Sequence, residues 1–158
     1  MIERKILIDA NLLLLFVVGF TDIKLIKKQQ KRLSKYDITH FEILNLFIEE
    51  YSKIVVTPHI LAEFWNLMGE ERGNWDKDKQ RVFDTVCLII QNAVEIYNPA
   101  AELIERTEIR WLGIADVSLL EAAEKQGYSL ISADAKLCIQ AMNLGIETYN
   151  IWHIWDNQ

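Results

Sequence analysis

Residues 116–151 read DVSLLEAAEKQGYSLISADAKLCIQAMNLGIETYNI, and this stretch decides the fold class. Asp116 to Gln126 has the composition of a helix, and Gly127 closes it, because glycine takes a left-handed C-terminal cap without a Cβ penalty. Tyr128 to Ser132 follows as a short apolar strand. Asp134 to Leu144 is a second helix, closed by Gly145, and Ile146 to Ile151 a second strand. Strands and helices that alternate through short links imply right-handed βαβ units and therefore a parallel sheet.

The same grammar extends toward the N-terminus. Arg4 to Asp9 is a β-branched apolar strand that ends on an acid. Ala10 to Val18 begins a buried helix that ends near Gly19, and Thr21 to Lys35 is the most polar segment. Thr39 is expected to cap a helix through about Tyr51, with Phe41, Leu44, Phe47 and Ile48 on one face. Lys53 to Thr57 is a strand, and Thr57-Pro58 supplies a hydroxyl cap followed by proline at the first helical position. That helix reaches about Glu70, and Gly73 ends the segment. Asp76 to Ala93 is a long amphipathic helix, and Asn98-Pro99 opens another through roughly Trp111. The expectation is an α/β chain: one domain over residues 1–158, with a small central parallel sheet in a three-layer α/β/α arrangement.

Bulk properties narrow the function. The chain has 158 residues, is 51% hydrophobic and 25% charged, which is ordinary globular composition. Cys87 and Cys138 form no Cys-x-x-Cys pair, so neither a zinc site nor a disulfide framework is indicated, and both are expected to be buried thiols. The net charge of −6 opposes binding to a polyanion. Six basic residues, Lys24, Lys27, Lys28, Lys31, Arg32 and Lys35, nevertheless crowd into twelve positions. The apolar run Leu12 to Phe20 is too short to span a bilayer. Asp9 and Asn11 break the apolar sequence just before it, and no small-x-small cleavage site follows. A soluble cytoplasmic protein without membrane contact is expected.

Acids at strand ends are the chemical signal. In parallel α/β sheets, functional groups gather beyond the carboxyl ends of the strands. Asp9 ends its strand, Asp116 opens its helix, and Asp134 stands just after the strand 128–132. Asp116 and Asp134 each have a plain alternative as helix N-caps. Asp9 is harder to explain that way, since an acid after Ile-Leu-Ile is costly to desolvate unless paired or metal-bound. Glu63 falls at the border of the apolar stripe of its helix, facing either a cleft or water. Clustered carboxylates repel one another and resist joint ionisation. A hard divalent cation such as Mg²⁺ or Mn²⁺ removes that penalty. Scattered His40, His59 and His153 lack zinc spacing, and no nucleophile elbow, phosphate loop or dinucleotide fingerprint occurs.

Four segments together resemble PIN-domain ribonucleases. Ile6-Leu7-Ile8-Asp9-Ala10-Asn11-Leu12-Leu13 is similar to that family's opening strand, and Val56-Thr57-Pro58-His59-Ile60-Leu61-Ala62-Glu63 to its second block. Leu112-Gly113-Ile114-Ala115-Asp116-Val117-Ser118-Leu119-Leu120 resembles the third, and Leu130-Ile131-Ser132-Ala133-Asp134-Ala135-Lys136-Leu137 the fourth, with Ser132 at a position where threonine is commoner. The resemblance runs from about residue 4 to 151. It implies a PIN-like fold, and RNA hydrolysis at Asp9, Glu63, Asp116 and Asp134 with Mg²⁺ or Mn²⁺, supported by Asn11 and Ser132. The family includes VapC-type toxins of toxin–antitoxin pairs, which implies a homodimer silenced by a small antitoxin protein.

Other features admit two readings each. Lys24, Lys28, Lys31 and Lys35 recur at helical spacing and suit either an RNA phosphate track or a solvated face. Trp65 and Trp111 are expected in the core. Trp152 and Trp155, after the final strand, suit a sheet-edge cover or a subunit contact, and less well base stacking. Two other function classes compete with the nuclease: a catalytically inert PIN-like module that binds RNA or protein, and a phosphatase or phospho-acceptor using Asp9 as nucleophile. The last generally needs a second acid near Asp9, where this chain has Asn11.

Overall fold

The computed structural model describes residues 3–28, 31–71 and 77–157. Its centre is strand β1 (Lys5–Ile8), flanked by β2 (Lys53–Val56) and β4 (Ser129–Ser132). Strands β3 (Val94–Glu95) and β5 (Thr148–Asn150) form the edges, giving the order β3-β2-β1-β4-β5 with every pair parallel. Ile6, Leu7 and Ile8 are all fully buried, as a central parallel strand covered on both faces requires. Helices flank the sheet in a three-layer α/β/α arrangement, and one apolar cluster runs from β1 to Trp155.

This strand order positions the site. The chain builds outward from β1 through β2 to β3, then returns to lay β4 on the other side of β1. The carboxyl ends of β1 and β4 therefore flank a topological switch point, where connections leave in opposite directions and a crevice opens. Leu7 pairs with Leu130 and Ile8 with Ile131, so Asp9 and Ser132 emerge at the same edge.

Helix α1 (Ala10–Thr21) is apolar almost all round, and nine of its residues are buried. It does not stop near Gly19. Thr21 Oγ1 donates to the Val17 carbonyl at 2.8 Å and the helix ends at Asp22. Gly19 serves close packing instead, because a Cβ there would sit 2.2 Å from the Phe41 ring. A 3-10 segment, Ile23–Lys28, follows. Helix α2 (Ile38–Glu49) is capped by Asp37, not Thr39, in a reciprocal capping box with His40. Helix α3 (Pro58–Glu71) begins as expected, with Thr57 Oγ1 accepting from the Ile60 N–H at 3.1 Å. Helix α4 spans Lys79–Asn92; the expected terminator Gly73 and the expected start Asp76 lie outside the described residues.

The expected helix through Trp111 is instead broken into α5 (Ala100–Leu103) and a 3-10 segment, Thr107–Arg110. Between them Arg106 turns inward to meet Glu108 at 3.2 Å, Glu121 at 2.7 Å and Glu124. A continuous helix would carry that guanidinium away from its three acids. Helix α6 (Ile114–Gln126) closes on Gly127 at φ 69°, the left-handed cap expected there. Helix α7 (Ala135–Asn143) begins after Asp134. Strand β5 stops at Asn150, whose side chain caps an unexpected last helix, α8 (Ile151–Asp156).

Trp65 and Trp111 are not in the core: they are 50% and 51% exposed. Trp152 and Trp155 pack with Tyr36 and His40. Cys138 is buried and Cys87 only partly so, and both are free thiols. Among the described residues, no helix is long and apolar enough to cross a membrane.

Candidate functional site

Asp9 anchors the switch-point edge. Its carboxylate is only 5% exposed, and three donors reach it. Oδ1 accepts from the Leu12 N–H at 2.9 Å, which caps α1. Oδ2 accepts from the Ala133 N–H at 3.0 Å and from the Ser132 hydroxyl. Ser132 Oγ in turn accepts from the Asp134 N–H at 3.0 Å. Ser132 thus joins the ends of β1 and β4 and fixes the turn that presents Asp134. Burial nevertheless raises the Asp9 pKa, because desolvation outweighs the three hydrogen bonds and the Asp134 charge adds to it.

Asp134 is exposed and is indeed an N-cap, accepting from Lys136 N–H at 2.8 Å and Leu137 N–H at 3.2 Å. Both bonds fall on Oδ1, so capping and a site role draw on different oxygens. Asp116 does not open its helix as expected. Gly113 is the cap, and Asp116 lies at the third helical position, on the first turn. Desolvation raises its pKa to about 7, and the charges of Asp134, Asp9 and Glu63 add to the shift. Glu63 faces solvent at the rim. Its pKa is raised by desolvation and by the charges of Asp9 and Asp134, with Arg32 opposing. Arg32 also pairs with Glu70 at 2.8 Å.

Four acids from four separate elements therefore act on one another electrostatically. Among the described residues, no three His, Cys, Asp or Glu side chains stand close enough to hold one metal ion. The chemistry of the donor set suits a hard divalent cation all the same: the oxygens are carboxylate, mutually repelling, and held in part away from water. Asn11 lies partly buried on the first turn of α1.

The basic residues do not share one helical face. Lys24 and Lys28 are exposed on the 3-10 segment, and Lys31 and Lys35 on the turns that follow. Lys35 Nζ lies 5.3 Å from the centre of the Tyr36 ring and 5.4 Å from that of Trp152. An apolar groove of about 440 Å³, lined by Phe16, Phe20, Ile54 and Leu88 among others, shares no residue with the acids.

Sequence reasoning missed two features, the buried Tyr36 hydroxyl and the pairing of Thr57 with Ser118, while the buried thiol expected at Cys138 is borne out. Tyr36 is buried, its hydroxyl has no hydrogen-bond partner among the described residues, and burial and the Asp9 charge push its pKa up. Cys138, behind Ser132, is pushed up to about 12 by burial and by the charges of Asp9 and Asp134, which leaves it an inert thiol. Thr57 and Ser118 form a buried hydroxyl pair at 2.7 Å. Thr57 was legible as a helix cap, and Ser118 had a signal as a polar residue inside the apolar run Val117 to Leu120.

Compared with known proteins, the chain matches no family model and no curated protein. Its fold is similar to the crystal structure of PAE2754 from Pyrobaculum aerophilum, with a TM-score of 0.57 and 15% sequence identity over 94% of this chain and 90% of that one. At that identity the likeness speaks to the fold alone.

Proposed function

We propose that this chain is a divalent-metal-dependent ribonuclease of the PIN kind, which hydrolyses RNA phosphodiesters at Asp9, Glu63, Asp116 and Asp134. The observation that carries the reading is the gathering of Asp9, Glu63 and Asp116 at the switch point of a parallel sheet, where burial raises all three pKa values and neighbouring acids add to each shift. Asp9 is held rigidly by its three donors and would serve as the fixed ligand. Asp116, and Asp134 through Oδ2, would complete the set, with Glu63 closing it from the rim. When bound, Mg²⁺ or Mn²⁺ supplies a lowered pKa for a nucleophilic water and neutralises charge on the phosphodiester. Ser132 keeps Asp9 and the Asp134 turn in register. Lys24, Lys28, Lys31 and Lys35 are the proposed contacts for RNA phosphates. On the same reading the chain forms a homodimer, and a small antitoxin protein silences it.

The test is an RNA-cleavage assay with Mn²⁺, with EDTA, and with Asp9→Asn in parallel. Cleavage that requires Mn²⁺ and disappears in the variant is expected; full activity in Asp9→Asn refutes the assignment. A second reading, a catalytically inert binding module, is favoured by the spacing of the acids as they stand. Mn²⁺ calorimetry separates the two, since an inert module takes up no Mn²⁺ at this edge.

A further inference from the structure

Two buried hydroxyls connect the elements that carry Glu63 and Asp116. Thr57, at the end of β2, and Ser118, on α6, are each 1% exposed. The direction of their hydrogen bond follows from their neighbours. Ser118 Oγ lies 2.6 Å from the Ala115 carbonyl oxygen, which can only accept, so Ser118 donates there. Its one proton is then engaged, and Thr57 must be the donor within the pair. Thr57 Oγ1 itself accepts from the Ile60 N–H. A single directed chain therefore runs from the first turn of α3, through Thr57 and Ser118, to the carbonyl immediately before Asp116.

We infer that the Thr57–Ser118 pair is a positioning device that fixes the backbone beneath Asp116 and Glu63 relative to Asp9, leaving the carboxylates themselves to turn onto a divalent cation. Helices α3 and α6 pack against each other, and apolar packing alone would hold them together. Valine and alanine would fill much the same space at these two positions. What the hydroxyls add is direction: each bond has a donor, an acceptor and a narrow range of length and angle, so the helices cannot slide or rotate freely. Thr57 also extends β2, which pairs with β1, so the chain of bonds refers Asp116 back to the strand that carries Asp9. A fully satisfied buried polar network specifies one arrangement where an apolar contact tolerates several.

This inference rests on the nuclease reading, and the experiment separates the two. Mn²⁺ titration calorimetry, thermal melting and cleavage kinetics are compared for the unmodified chain, Thr57→Val, Thr57→Ser and Ser118→Ala. Thr57→Val is expected to weaken Mn²⁺ binding about tenfold, the lower end for groups that orient metal ligands. It should lower kcat with little change in KM for RNA, and Thr57→Ser should restore both. The double variant Thr57→Val/Ser118→Ala should be little worse than either single one, because both cut the same chain of bonds. A fall in melting temperature with Mn²⁺ affinity unchanged overturns the positioning role. If Thr57→Val does not fold, Ser118→Ala decides in the same way. Failure of the unmodified chain to bind Mn²⁺ overturns the nuclease reading and this inference together.

Discussion

Asp9→Asn offers a test that does not depend on finding the right RNA. The substitution keeps the side-chain volume and removes the charge. An asparagine oxygen can face either the Leu12 N–H or the Ser132 and Ala133 donors, while its NH₂ group opposes the other side. With the oxygen toward Ser132, the cap of α1 is lost, at a cost of about 1 kcal/mol. Relief of the desolvated charge opposes that loss, because burial makes ionisation of Asp9 unfavourable. The two effects offset each other, so in EDTA at pH 7.5 the variant should melt within about 4 °C of the unmodified chain, which is about 1 kcal/mol for a domain of this size. Mn²⁺ then separates them. At a free concentration 100 times Kd, a ligand that binds only the folded state stabilises it by about 2.7 kcal/mol, an increase of about 5 to 10 °C. The unmodified chain should show that increase and Asp9→Asn almost none. Equal Mn²⁺ shifts in both proteins, or a loss of several kcal/mol in EDTA, would show that Asp9 holds the fold and not a cation.

Three further outcomes follow from the structure. Gly19→Ala should destabilise despite alanine's better helix propensity, because the new Cβ meets the Phe41 ring at 2.2 Å; a net loss of about 1 to 2 kcal/mol is expected in urea melts, and Phe41→Leu should relieve it. Arg106→Ala leaves the largely buried Glu108 without that cation, while Lys125 remains 3.2 Å from Glu121. A loss of about 3 kcal/mol is expected, read as a melting temperature lower by about 6 to 12 °C. In EDTA, the Asp116 carboxyl, raised from 3.8 to about 7, binds more protons folded than unfolded. Stability should therefore fall as pH rises from about 4 through 7, by at most about 4 kcal/mol and by less in practice, since water reaches Asp116. Denaturant titrations should show the slope diminished in Asp116→Asn.

What was legible in the sequence, and what was not, divides by the range of the interactions. Strand β1 could be read because Ile6-Leu7-Ile8 needs no partner to announce burial, and Gly127 because a left-handed cap is a local event. The cap at Asp134 was equally local. The acids could be placed at strand ends, but their distances could not, because Asp116 reaches the edge only through the packing of α6 on α3 and the sheet. The break after Leu103 was hidden for the same reason. Arg106 meets Glu121 and Glu124, which lie 15 and 18 positions away, and no periodicity reports that. Strand β3 is only two residues long, too short to alternate. Trp65 is exposed because an aromatic side chain does not say which way its helix faces, and Trp111 because the helix expected to carry it ends at Leu103. Asp37 and Thr39 are both good caps by residue type, and His40 decides for Asp37 by closing the box.

The electrostatic cost at the switch point argues that it serves something other than folding. A domain of this size is stable by about 8 to 24 kcal/mol, and each acid held above its ordinary pKa draws on that margin at neutral pH. The burial of Asp9 is not forced by the helix cap, since a serine or asparagine at residue 9 would cap α1 without a charge. The Ser132 hydroxyl could likewise donate to an amide oxygen, so an uncharged residue could make either bond, although only a carboxylate makes both at once. Arg32 opposes the upward shift of Glu63, whereas burial is the largest cause of the Asp9 and Asp116 shifts and neighbouring acids add to it. The Arg106 cluster shows that this chain does pair buried acids with a guanidinium where the acids are structural. Carboxyls gathered at one edge, in a protein that neutralises acids elsewhere, support the proposal of a removable external cation. A resident Arg or Lys introduced there, for example by Asn11→Lys, should raise stability in EDTA and abolish Mn²⁺ binding; a variant that remained as responsive to Mn²⁺ as the unmodified chain would defeat this argument.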